Sequence, residues 1–173
     1  MNVNRRMHGT DGGSDMPRVY HVKSARKDNP VAKIGEDYYW WQFAFGSKQF
    51  SKTPPKRSQL TQSGFLSNLY DLQDGLQNRF TDIDSIEDDL QDFISELESM
   101  RDECQDSLDN MPEHLQEAST SGELLTERID LLEQWISDLE AIDADIDADL
   151  SEDKKQIDFE AIIQEVCDTD QHF

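Results

Sequence analysis

Apolar residues recur every seven positions from Leu69 to Met111. Leu69, Leu76, Ile83, Leu90, Leu97, Cys104 and Met111 occupy one heptad position. Leu72, Ile86, Phe93 and Met100 occupy the position three residues on. Arg79 and Ser107 miss that second position, but Phe80 and Leu108 stand beside them. A seam sustained over about six heptads is the coiled-coil pattern rather than the stripe of an ordinary surface helix. At about 1.5 Å per residue it predicts a helix roughly 60 Å long.

Composition agrees with a seam more than with a round core. Apolar residues make up 35% of the 173 positions and charged residues 31%, which is too little apolar matter for a large globular interior. The longest uninterrupted apolar run is four residues, so no membrane-spanning helix is expected. No secretory h-region precedes the first strand, and the two cysteines lie far apart. A reduced, cytoplasmic protein is the expectation.

The net charge of −22 is unevenly spread. Residues 1–62 hold 11 Lys/Arg against 5 Asp/Glu; residues 63–173 hold 5 against 33. A basic head therefore precedes a strongly acidic body, whose field repels nucleic acid and membrane and attracts basic protein surfaces. The plain alternative is a solvated helix face that maintains solubility.

Residues 1–17 read as a disordered tail. Residues 18–57 read as a basic, aromatic β module. Arg18–Lys23, Tyr38–Phe45 and Gln49–Thr53 are the expected strands, with turn chemistry at Lys27–Pro30 and Gly46–Lys48. Alternation places Tyr39, Trp41, Phe43 and Phe45 on one face, and Tyr38, Trp40, Gln42 and Ala44 on the other. One face must be covered; the other can leave Tyr38 and Trp40 accessible. Lys23, Arg26, Lys27, Lys33, Lys48 and Lys52 surround them. Rings that stack and cations that neutralise phosphate are the ingredients of nucleic-acid binding. The competing reading makes the aromatics the whole core of a small module and the lysines its wet rim.

Pro54 and Pro55 stop the sheet, and Ser58 is placed to cap the long helix. Gly64 and Gly75 weaken that helix without breaking its period. The rod must turn either near Pro112 or at Ser119–Gly122. The second is favoured, because Thr120 and Glu123 fit a capping box, with a short helix over Pro112–Ala118. A second heptad helix follows, with Leu125, Leu132, Leu139 and Ile146 in one position and Ile129 and Ile136 in the other. It is shorter than the first. The stripe from about Leu66 to Ile86 must therefore be covered by the β head, by Phe159–Cys167, or by a second copy of the chain, and this mismatch motivates a homodimer.

The expected fold is mainly α: a long antiparallel coiled-coil helical hairpin over 58–150, with a small N-terminal three-stranded antiparallel β module. Residues 151–173 form a short helix and tail, with Ile157, Ile162, Ile163 and Val166 as its stripe.

The run Ile142–Leu150 alternates aspartates, but in an EF-hand register Leu150 stands at the obligatory glycine and Gln156 at the bidentate glutamate. No phosphate-binding loop, dinucleotide fingerprint or zinc-helix motif is present. The four histidines are scattered and none pairs with a cysteine at metal-ligand spacing. Cys104 and His114 are about 15 Å apart along a helical rod, too far for a nucleophile and its base. No cofactor, no metal and no catalysis are expected.

Three head segments, Ala25–Pro30, Ile34–Trp41 and Ser51–Leu60, resemble the head of a group of uncharacterised phage and prophage proteins. Leu108–Glu113 followed by Gly122–Leu125 resembles their middle segment. The resemblance implies a mobile-element accessory protein and carries no assigned activity or site residues.

Two functions follow from the charges. In the first, the acidic coiled coil binds and inhibits a protein with a basic surface, in the sharpest form a nucleic-acid-handling host defence factor deceived by DNA mimicry. Asp84, Asp88, Asp92 and Glu96, then Asp102, Asp106, Asp109 and Glu113, form its row at helical spacing. In the second, the β head binds nucleic acid through Lys23, Arg26, Lys27, Tyr38, Trp40, Lys48 and Lys52, and the coiled coil dimerises.

Overall fold

The computed structural model describes residues 16–147 and 149–169. Most of the tail expected over 1–17, and the last four residues, lie outside the described part. The chain divides into two compact units, the first ending at Asp71 and the second beginning at Leu72. It is mainly helical, with one small sheet on the N-terminal side.

The sheet comprises β1 (Tyr20–Val22), β2 (Tyr38–Gln42) and β3 (Lys48–Ser51), antiparallel in that order. Trp40 pairs with Tyr20 on one side and Phe50 on the other. The long β1–β2 connection is closed by its own hydrogen bonds. Asn29 Oδ1 accepts from the amides of Val31 and Ala32, and the Ala25 and Glu36 main chains pair at 2.8 Å. Gly35 takes φ +91°, a conformation that side-chain-bearing residues rarely adopt. The central strand is shorter than expected. It ends at Gln42, whose Nε2 donates to the Gly46 carbonyl at 2.9 Å, while the Gly46 amide donates back to Phe43. Phe43 and Phe45 therefore belong to the turn rather than to the face of Trp41, and Phe45 is fully exposed.

The first helix begins later than Ser58. Arg57–Leu60 is a single 3-10 turn, stapled by the Lys56 amide donating to Gln59 Oε1. Helix α1 is Gly64–Gly75, and Ser63 accepts at its start from the Leu66 amide.

Continuity through Gly75 is not observed. Leu76–Asn78 and Ile83–Ser85 are 3-10 turns, and α2 runs from Ile86 to Asp109. Asp82 takes the Asp84 amide on its side chain, offering the backbone a local alternative to the helix. The heptad survives as burial: Leu69, Leu76, Ile86, Leu90, Phe93, Leu97, Met100 and Cys104 are all buried. The period thus records which residues face inward, not an unbroken rod.

The helix breaks at both candidate places: α2 ends at Asp109, before Pro112, and the next long helix starts only at Thr120. A short helix α3 (Glu113–Gln116) lies between α2 and α4 (Thr120–Glu140). The cap is Ser119 rather than Thr120; its Oγ accepts from the Gly122 amide at 3.1 Å. Gln116 Nε2 donates to the carbonyls of Leu108 and Met111, tying α3 to the end of α2. Helices α2 and α4 pack on each other. Phe93 meets Trp135 edge to face at 5.5 Å, and Leu90 and Ile94 share a hollow with Leu139 and Ile142. Residues early in α2 thus lie beside residues late in α4, the antiparallel sense.

Helix α4 stops at Glu140 instead of continuing to residue 150. Asp143 takes the Asp145 amide and Asp147 the Asp149 amide, so the alternating aspartates bond their own backbone in non-helical turns. Helix α5 then runs from Glu152 to Thr169, burying Phe159, Ile162 and Val166, while Ile157 is 64% exposed. It packs on α4 and on the two 3-10 turns before α2. The C-terminal segment therefore supplies part of the cover for which a second copy was one candidate.

Candidate interaction surfaces

The acidic face belongs to the second unit. From Leu72 on, the sequence holds 32 Asp/Glu against 5 Lys/Arg. The buried side of α2 carries Leu90, Phe93, Leu97, Met100 and Cys104. At about 100° per residue, Asp88, Asp92, Glu96, Asp102, Asp106 and Asp109 fall within a roughly 140° arc on the opposite side. All six are exposed. Asp84 precedes the helix in its 3-10 turn, and Glu113 stands beyond the break in α3, so neither shares the α2 backbone.

Two members of the row are engaged. Arg79 grips Glu96 with both terminal nitrogens, at 2.6 and 3.0 Å, and its guanidinium lies 5.0 Å over the Phe93 ring. The Glu96 hydrogen bond raises the Arg79 pKa, so the cation is held more firmly than an isolated arginine. Arg101 bonds its neighbour Asp102 at 2.7 Å and is raised for the same reason. Asp109 accepts from Gln105 Nε2, which leaves its charge uncompensated. Among the described residues, Asp88, Asp92, Asp106 and Asp109 are thus the part of the α2 row that forms no ion pair. Among the described residues, no three His, Cys, Asp or Glu side chains converge to hold a metal ion.

Cys104, in the seam, is buried and its thiol is pushed up by that burial. An activated nucleophile needs the opposite shift.

The second surface is the open face of the head sheet. Register places Tyr20, Tyr38, Trp40, Lys48 and Phe50 on one side. Tyr20 and Trp40 stack at 4.4 Å with planes 11° apart. Arg18 lies over the outer face of this pair at 5.3 Å from the Tyr20 ring, and Lys48 lies 4.3 Å from the Trp40 ring. The result is a column of cation, ring, ring and cation. Tyr38 tilts against Phe50 at 6.1 Å. Trp40, Tyr38 and Phe50 are half-buried, and Tyr20 is 40% exposed. On the other side Trp41 is buried, and His21 stacks on Tyr39 at 4.4 Å.

The expected head residues divide by this geometry. Tyr38, Trp40 and Lys48 come together on the open face. Lys52 is taken by Glu36 at 2.8 Å, a contact that lowers the Glu36 pKa, and so is not a spare cation. Lys23, Arg26 and Lys27 are exposed but outside the column. Arg18 and Tyr20 were missed as site residues. Their signal is the two-residue spacing from Arg18, just before β1, to Tyr20, legible only once Tyr20 is registered against Trp40. A third feature, a hollow of about 540 Å³ lined by Phe43, Phe45, Leu60, Leu66 and Tyr70 among others, had no sequence signal.

Comparison with protein-family models, curated proteins and solved structures finds no match to this chain. Among the described residues, no helix is long and apolar enough to cross a membrane.

Proposed function

We propose that this chain is a non-enzymatic interaction protein whose acidic helices, paired through a coiled-coil seam, bind and inhibit a protein with a basic surface. In its sharpest form the partner is a nucleic-acid-handling host defence factor, and the helical pair imitates DNA. One observation carries the reading. Helices α2 and α4 carry ten and six carboxylates against one arginine each, along a length of roughly 36 Å set by α2. That is one net negative charge per roughly 2.5 Å, close to the one per about 1.7 Å of duplex DNA. The buried seam forces the α2 row outward, where a basic cleft can reach it.

The test is capture on the immobilised full chain from nuclease-treated host lysate, eluted by salt, with duplex DNA as competitor. A basic nucleic-acid enzyme that elutes with rising salt and is displaced by duplex DNA is the expected result. Capture that survives Asp/Glu→Asn/Gln changes at Asp88, Asp92, Asp106 and Asp109 sinks the reading.

A further inference from the structure

The head carries a surface that the acidic reading does not use. We infer that the open sheet face built from Arg18, Tyr20, Trp40 and Lys48 binds single-stranded nucleic acid, with Lys48 exchanging its place over Trp40 for a stacked base.

The argument starts from the column itself. Among the described residues, neither Arg18 nor Lys48 forms an ion pair with a carboxylate; each lies over a ring instead. Lys52, by contrast, is bound to Glu36. Both cations of the column therefore remain available to an anion. The ring faces are not bare: Tyr20 and Trp40 cover each other on the inside, and the cations cover them on the outside. A flat ligand must displace a cation to stack.

That exchange is favourable for one ligand chemistry. An exposed cation–ring contact is worth a few-fold in an equilibrium. A base stacked on an aromatic side chain is worth from about fivefold to over a hundredfold. The displaced ammonium, on a flexible stem, then pairs with the adjoining phosphate. A free anion supplies only the second contact and a neutral ring only the first; a nucleotide strand supplies both. An unpaired strand is required because the bases of a duplex are already stacked. The unit holding this face is net basic, 11 Lys/Arg against 6 Asp/Glu up to Asp71, which fits a polyanion.

The test uses the full chain and a labelled oligothymidylate of about 15 nucleotides, read by fluorescence anisotropy between about 50 and 200 mM salt. Saturable binding with quenching of tryptophan emission is expected. Trp40→Ala should weaken it at least tenfold, and Trp40→Phe by less. Lys48→Gln and Arg18→Gln should each weaken it and make the salt dependence shallower by about one. If Trp40→Ala unfolds the sheet by circular dichroism, those two cation variants carry the test, since both side chains are exposed. Absence of saturable binding at about 50 mM salt overturns the inference. So does a folded Trp40→Ala variant that binds undiminished. So does equal competition by a polyglutamate peptide, which would assign the face to acidic polypeptide.

Discussion

The indole Nε1 of Trp135 donates to Thr169 Oγ1 at 2.8 Å, and that hydroxyl donates in turn to the Val166 carbonyl at 2.7 Å. Trp135 is fully buried, in the middle of α4 and edge-on to Phe93 of α2. Thr169 is the last residue of α5. One hydroxyl thus completes the tryptophan's polar demand and fixes the end of the C-terminal helix against the helical pair. Thr169→Val should leave the indole N–H buried and less well satisfied, at about 1–3 kcal/mol, whereas Thr169→Ser should retain most of the stability. Urea unfolding followed by Trp fluorescence distinguishes them; equal midpoints for Val and Ser would remove the bond from the account.

Two glycines with opposite surroundings should respond oppositely to alanine. A Cβ on Gly122 would clash with the Gln116 carbonyl oxygen, a backbone atom that cannot move aside alone. Gly122→Ala should lower the melting temperature, by an amount corresponding to about 1–3 kcal/mol of overpacking. At Gly75 nothing lies within 4 Å and φ is −85°. Gly75→Ala should stabilise by about 0.5–1 kcal/mol and raise helicity between α1 and the following turn. A stabilised Gly122→Ala would show that α3 and α4 do not approach as closely as described.

Salt should stabilise this protein. With 32 acidic and 5 basic residues from Leu72 on, like-charge repulsion outweighs the few ion pairs, Arg79–Glu96 and Arg101–Asp102 among them. Raising ionic strength from about 0.01 to 0.5 M shortens the screening length from about 30 Å to under 5 Å. The expected change is a higher melting temperature for the transition reported by Trp135. A fall instead would mean that the ion pairs dominate.

Cys104 makes a pH prediction with a definite sign. Burial raises its thiol pKa above the ordinary 9.0, so the folded chain holds this proton more tightly than the unfolded one. The corresponding stability is fully present below the unfolded value and is lost as pH rises through the folded one. Unfolding midpoints should therefore decline above about pH 9 in the parent and decline less in Cys104→Ala. A thiol reagent at neutral pH should reach half-buried Cys167 before Cys104, which should react on the unfolding timescale.

Replacing Asp88, Asp92, Asp106 and Asp109 with Asn should leave the fold intact, because all four side chains are exposed and opposite the buried stripe. Melting should be unchanged or slightly raised at low salt, while retention on a basic partner falls. Loss of the fold would mean that the row has a structural role.

Local sequence, by itself, determined which residues face inward and where charge accumulates. The heptad names the buried residues of α2 except Ile94, and the Leu132/Leu139 and Ile129/Ile136 steps name four of those of α4, because burial follows side-chain period whether or not the helix is continuous. Strand positions and the outward acidic row follow from alternation and helical spacing in the same way. Tertiary structure decided the rest. The rod breaks after Gly75 and again at Asp82, where 3-10 turns and the Asp82 side chain take backbone groups that a continuous helix would use. The choice of α5 to cover the two 3-10 turns before α2 depends on contacts between segments far apart in the chain, which no local pattern encodes. The cation–ring column likewise needs β1 and β2 in register: Arg18 and Tyr20 look ordinary in the chain and join a surface only when Tyr20 meets Trp40.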